Sequence, residues 1–249
     1  MKKSMKGRFI FQIFSRLWDR GIFVLALSVC FAWKNVNAQP LPHLPGIGNN
    51  HSREVIDPNT MPWSILGRVQ TELGVRCTGF AIAPTVMMTA AHCLWLPATG
   101  HYIRPQDVHV LMGYERGRYR QQERVQQFII PSGYNPRNEA GTVMNDRAVL
   151  ILKQPVIRIQ ERPMLLSAKS GEAARLVGYS QDRVEVLLGD LHCHTVLVDS
   201  GGLIHHDCEG THGVSGAPLW SQNEKGQWGV SGIVVEANVG KGGEAIPVQ

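Results

Sequence analysis

From residue 61 onward, short apolar runs alternate with clusters of Gly, Pro, Asn and Asp. Six such runs come first: Ser64–Val69, Cys77–Ile82, Val86–Thr89, Val108–Met112, Arg124–Ile130 and Ala148–Leu152. Six more follow at Arg175–Gly178, Glu185–Leu188, His194–Val198, Leu203–His206, Ala217–Trp220 and Gly229–Val235. Runs of this length, closely spaced and bounded by turn residues, predict β-strands. No long amphipathic helix intervenes, so the pattern predicts an all-β protein, either a sandwich or a pair of barrels. Lys153–Pro163 carries two prolines and alternating charge and divides the pattern into halves at 61–155 and 156–249.

The first 60 residues follow a different pattern. Lys2, Lys3, Lys6, Arg8, Arg16 and Arg20 precede an apolar run from Ile22 to Trp33 and then Val36-Asn37-Ala38. A basic stretch, a short apolar core and small residues before a cut are the marks of a signal peptide, here 1–38. The apolar run is shorter than the roughly 20 residues a membrane helix needs, so no membrane association is expected after cleavage. Residues 39–60, rich in Pro, Gly and Asn, read as a leader or pro-segment.

Removing 1–38 changes the charge picture. The whole chain carries 25 Lys and Arg against 20 Asp and Glu. Seven of those bases and one of those acids fall within the first 38 residues, leaving 18 against 19 and a formal charge of −1. The electrostatic case for a nucleic-acid partner disappears with the signal. Five cysteines become four, Cys77, Cys93, Cys193 and Cys208. An even count in an exported chain, secreted or periplasmic, suggests two disulfides with three possible pairings. Nearest-neighbour pairing would close loops of roughly 15 residues, each stabilising by about 3 kcal/mol.

Three segments carry candidate chemistry. Ser215 lies in Gly213-Val214-Ser215-Gly216-Ala217-Pro218, where flanking glycines allow a tight turn and the N–H groups of Gly213 and Ser215 could converge on one oxygen. His92 ends Thr89-Ala90-Ala91-His92-Cys93, whose small alanines let a short turn pack closely. Asp146 stands before the apolar strand Ala148–Leu152, a place where a carboxylate would be partly buried and in need of a partner. A nucleophile, a base and a carboxylate to orient the base are the parts of acyl transfer.

These three motifs, in the order His, Asp, Ser, resemble those of the trypsin/chymotrypsin-like serine proteases over about residues 61–236. Pro62-Trp63 and His206-Asp207-Cys208, with Ser215 seven residues after the cysteine, resemble the bacterial glutamyl-endopeptidase-like branch. The resemblance implies two packed six-stranded Greek-key β-barrels, with His92 and Asp146 on the first and Ser215 on the second. It also implies His92 as general base, Asp146 as its orienter, Ser215 as nucleophile, and the Gly213 and Ser215 amides as oxyanion donors. Asp107 is the second choice of carboxylate. The implied activity is an exported serine endopeptidase acting on protein or peptide substrates as a monomer, with no metal or organic cofactor.

Departures from the family pattern bear on regulation and specificity. Val214 stands where activated trypsin-like enzymes hold an Asp that pairs with a new N-terminal amine, so that zymogen switch is absent here. Any maturation cut, for instance near Arg53-Glu54-Val55, would act differently. By alignment, Glu209 occupies the base of the first specificity pocket, where a carboxylate would favour Lys or Arg but does not always do so. Val234 replaces the His that binds a substrate Glu, which argues against strict Glu selection. Val235, Glu236 and Ala237 would form the pocket wall and the substrate-pairing edge.

Two alternatives compete. A protease-like scaffold could bind protein without catalysis. His192-Cys193-His194 with His205-His206-Asp207-Cys208 could instead ligate a structural zinc in an envelope protein. Against zinc, neighbouring ligands on a strand point to opposite faces, and an exported cysteine pair favours the disulfide.

Overall fold

The computed structural model describes residues 44–48 and 52–249, so the signal expected at 1–38 lies outside the described residues. Fifteen strands are present in this region: β1 Glu54–Ile56, β2 Leu66–Thr71, β3 Arg76–Ala83, β4 Val86–Thr89, β5 Trp95–Leu96, β6 His101–Tyr102, β7 Val108–Met112, β8 Gln121–Ile129, β9 Ala148–Leu152, β10 Ala173–Gly178, β11 Leu187–Val198, β12 Ile204–His206, β13 Pro218–Gln222, β14 Trp228–Ala237 and β15 Gly243–Pro247. The one α-helix, α1, is a single turn at Glu139–Thr142. Among the described residues, no helix is long and apolar enough to cross a membrane.

The expected pair of six-stranded antiparallel barrels is present. The first closes in the order β2-β3-β4-β9-β8-β7. In β9 the burial alternates with the pleat: Ala148, Leu150 and Leu152 point inward and are buried, while Val149 and Ile151 are half-buried. Leu66, Phe80, Met87, Met112 and Leu150 fill the interior. The outer strand β8 carries Gln, Glu and Arg at most positions and is correspondingly exposed.

The second barrel runs β11-β10-β13-β14-β15-β12 and closes through the pairing of β11 with β12. Its core holds Leu176, Ile204, Leu219, Val234 and Ala245, together with Cys193 and Cys208. Two strands differ from the sequence expectation. Glu185–Leu188 and His194–Val198 were expected as separate strands, but Leu187-Leu188 and His194–Val198 belong to one twelve-residue strand, β11, with Glu185 and Val186 in the turn before it. Gly189-Asp190 and the polar histidines interrupt its hydrophobic pattern, and its ladder with β10 shifts register between Asp190 and Cys193, yet the strand runs on through Val198. The closing strand β15 was not expected, because Gly243-Glu244-Ala245-Ile246-Pro247 follows a glycine-rich turn and reads as a tail. Its Ala245 and Ile246 are nonetheless fully buried.

Within the stretch expected as a leader, Glu54–Ile56 pairs with β11 as an added edge strand. The neighbouring Arg53 makes a bidentate pair with Asp182 at 2.7 and 3.1 Å. Between the barrels, Trp63 and Trp220 meet edge to face with ring centroids 5.5 Å apart, both buried.

Candidate active site

Strand register places the first two candidate residues together. Thr89, the last residue of β4, pairs with Ala148, the first of β9. The chain leaving β4 and the chain entering β9 therefore share one end of the barrel. His92 follows Thr89 by three residues and Asp146 precedes Ala148 by two, so they meet there. Asp146 is buried, and its two oxygens are divided between one residue's main chain and side chain. Oδ1 accepts the His92 backbone N–H at 2.9 Å and Oδ2 lies 2.6 Å from His92 Nδ1. That grip fixes both the ring's position and its tautomer, leaving Nε2 to face outward as the acceptor. Burial is the largest single influence on His92 and disfavours its protonation. The hydrogen bond and charge of Asp146, with smaller contributions from Glu139 and Glu236, outweigh it and raise the imidazole above its ordinary value. Asp107, the second choice of carboxylate, is engaged elsewhere, bound to Arg104 at 2.7 Å.

Ser215 comes from the loop before β13. Gly216, at φ +81°, sits so close to the first barrel that a Cβ there would lie 2.2 Å from Thr89 Oγ1 and 2.3 Å from Thr78 O. Only glycine permits this approach. It brings the Ser215 carbonyl to the Thr78 N–H at 3.0 Å. Thr78 adjoins Cys77, which is disulfide-bonded to Cys93, the neighbour of His92. Serine, imidazole and carboxylate are thus tied into one locality by a strand, a disulfide and a glycine contact. Among the described residues, no hydrogen bond joins His92 Nε2 to the Ser215 hydroxyl. Such contacts are often long without substrate and tighten when it binds.

The turn before Ser215, where the oxyanion donors are expected, has a visible physical basis. Thr211 to Val214 forms a turn closed by the Val214 N–H to Thr211 O bond at 3.1 Å, with Gly213 third in the turn at φ +96°. This is the position where a type II turn requires φ above zero. The His212 carbonyl accepts the Gln181 N–H at 2.7 Å, which turns the following Gly213 N–H the opposite way. Among the described residues, neither the Gly213 nor the Ser215 N–H has an acceptor, so both are free to donate. Val214 is buried against Leu176 and its neighbours in the second core.

Val234 is buried in the second core, and its carbonyl accepts the Gly216 N–H at 2.7 Å, tying β14 to the serine loop. Val235 is buried and Glu236 exposed at the end of β14. Glu209 is buried, and its carboxylate is already engaged: Oε1 accepts the Gly48 N–H at 3.0 Å and Oε2 the Ser52 N–H at 2.9 Å. Cys193 and Cys208 form the second disulfide, so neither offers a thiolate to a metal. His192, His194 and His205 sit around them as strand residues, His205 facing Glu244 at 3.3 Å.

Sequence reasoning missed Thr78. It is fully buried on β3, donates from Oγ1 to the Gly213 carbonyl at 2.9 Å and accepts the Tyr179 N–H at 2.9 Å. Its place beside Cys77 was the available signal, but a Thr in a strand ordinarily carries no such role.

Two closed six-stranded antiparallel barrels, joined where these loops touch, are the architecture of the chymotrypsin-like serine proteases. Over residues 52–249 the sequence matches the family described as Trypsin, and the chain belongs to that family. A solved structure of a Glu endopeptidase in complex with MPD shares the fold. It aligns with a TM-score of 0.68 and 18% identity, covering 83% of this chain and 94% of that chain. Among curated proteins, none matches this sequence.

Proposed function

We propose that this protein is an exported serine endopeptidase in which Ser215 attacks a peptide carbonyl, with His92 as base and Asp146 as its orienter. The observation that carries this reading is the double hold of Asp146 on His92, at 2.9 Å to the backbone and 2.6 Å to the ring. A buried carboxylate that holds one histidine by both its main chain and its ring makes structural sense where the other ring nitrogen must act on something. Membership of the trypsin family and the two disulfides support the same reading, the disulfides favouring a secreted or periplasmic location.

In the reaction, His92 takes the Ser215 proton as the Ser215 oxygen bonds to the substrate carbonyl carbon. The Gly213 and Ser215 N–H groups receive the oxyanion. Collapse of the tetrahedral intermediate breaks the C–N bond, and protonated His92 gives its proton to the leaving amine. Water, activated by His92 in turn, hydrolyses the acyl-enzyme and restores the serine. Cleavage of a peptide library by the purified protein tests activity and residue preference together. Turnover that disappears in Ser215→Ala supports the proposal; cleavage unchanged in Ser215→Ala refutes it.

A further inference from the structure

The peptide between His212 and Gly213 carries the proposed Gly213 donor on one side and a hydrogen-bonded carbonyl on the other. A trans peptide points its carbonyl and its N–H in opposite directions. The Gln181 N–H, holding the His212 carbonyl at 2.7 Å, therefore aims the Gly213 N–H. Contact there is close: a Cβ on Gly213 would lie 2.5 Å from the Tyr179 carbonyl oxygen and 3.2 Å from the Gln181 nitrogen. Whatever fixes Gln181 thus fixes the turn.

Gln181 is exposed and opens a single helical turn, Gln181–Arg183. Among the described residues, its side chain makes no hydrogen bond. The anchor is Arg53, from ahead of the first barrel. Its Nη1 donates to Ser180 Oγ at 3.3 Å and to Asp182 Oδ1 at 3.1 Å, and its Nη2 to Asp182 Oδ2 at 2.7 Å. One guanidinium holds the residues on both sides of Gln181. The Ser180 carbonyl, the other end of the Gln181 peptide, accepts the Arg183 N–H at 3.2 Å. With side chains only 8% and 17% exposed, the Arg53–Asp182 pair is screened by water far less than a surface pair. Burial opposes ionisation of Asp182, but the Arg53 hydrogen bond and charge outweigh it and hold the carboxyl below its ordinary value. Arg53 is held in turn by β1, whose Glu54, Val55 and Ile56 pair with Gly189, Leu188 and Leu187 of β11.

We propose that Arg53 is a positioning residue for the oxyanion turn: it clamps Ser180 and Asp182, so that Gln181 keeps the Gly213 N–H aimed at the reacting carbonyl. The inference rests on the endopeptidase reading for what the Gly213 N–H does; the clamp itself is independent of catalysis. It lies inside the stretch expected as a leader. A maturation cut between Arg53 and Glu54 would therefore free the clamp from β1 rather than set it.

Arg53→Met removes the fork, and Asp182→Asn keeps the side chain's shape while removing its charge. Hydrogen exchange of the Gln181 amide, followed by NMR in the folded full chain, reads the clamp without requiring turnover. That amide is expected to exchange ~10-fold or more faster in both variants than in wild type. In peptide hydrolysis, kcat should fall ~10-fold or more with KM little changed, because an oxyanion donor acts in the transition state. Arg53→Lys, charged but without the planar fork, should recover only part of the loss. Unchanged Gln181 exchange in the folded variants, or faster exchange with undiminished kcat, would overturn the clamp. A folded wild type without turnover would refute the endopeptidase reading instead, and Gln181 exchange would then decide the clamp by itself.

Discussion

The hydroxyl of Thr78 donates to the carbonyl of Gly213 at 2.9 Å, binding a strand of the first barrel to the proposed oxyanion turn of the second. The same residue holds the Ser215 carbonyl through its N–H and accepts the Tyr179 N–H on its hydroxyl. Thr78→Val keeps the shape and removes the hydroxyl, leaving a buried donor and a buried acceptor unpaired. Unfolding stability is expected to fall by about 1–3 kcal/mol. Turnover should fall about 10²-fold with KM little changed, because the reacting groups lose registration. Thr78→Ser should recover most of both. A loss of stability with normal kcat in the folded fraction would make Thr78 a packing residue only.

Protonation of His92 sets the pH dependence. The ring must be neutral to accept the serine proton, and its pKa lies above the ordinary 6.5, so the acidic limb of kcat/KM falls above that value. Asp146→Asn removes the hydrogen bond and the charge that oppose burial. The residual activity should then be about 10⁴-fold lower, with its acidic limb displaced to lower pH. A pH–rate profile of wild type and variant reads both effects. Near-normal turnover in Asp146→Asn would mean that another group orients the base.

Two glycines with similar backbone angles should respond very differently to alanine. Gly216 at φ +81° has three first-barrel atoms within 2.7 Å of where a Cβ would stand, whereas Gly226 at φ +73° has open space. Gly226→Ala should cost only the left-handed penalty, about 1–2 kcal/mol, with activity intact. Gly216→Ala adds a clash that separates Ser215 from the first barrel, and both stability and activity should fall well beyond that. Thermal unfolding and peptide hydrolysis on the two variants make the comparison. Similar losses in both would remove close approach as the reason for Gly216.

His206 predicts acid sensitivity. It is almost fully buried, and burial lowers its pKa to about 4, partly opposed by Asp207 and Asp190. The unfolded chain takes up a proton near pH 6.5 while the folded state resists until about 4. Stability is therefore complete above pH 6.5 and is lost as pH falls through that window, by roughly 3 kcal/mol for this one group. His206→Leu should flatten the dependence of melting temperature on pH between these limits. An unchanged slope would assign the acid loss to other groups.

What the sequence made legible follows from how local each feature is. His92, Asp146 and Ser215 each sit in a short segment whose composition reflects its own constraint: an alanine pair, an apolar strand, a glycine bracket. Their order then pointed to the double barrel. Features that depend on distant partners were not legible. Thr78 looks like any strand threonine until Gly213, 135 residues away, is placed beside it. Glu209 reads as an open pocket base until the Gly48 and Ser52 amides, 161 and 157 residues away, cover it. The twelve-residue β11 and the short β15 were misjudged because their partners, not their own patterns, hold them in the sheet.

The most direct test of the catalytic assignment is labelling by a fluorophosphonate probe, located by mass spectrometry and compared across wild type, His92→Ala and Ser215→Ala. The account predicts stoichiometric modification of Ser215 in wild type, its loss in Ser215→Ala, and a reduction of several orders of magnitude in rate in His92→Ala. A folded wild-type protein that stays unmodified, or a label whose rate is indifferent to His92, would contradict it.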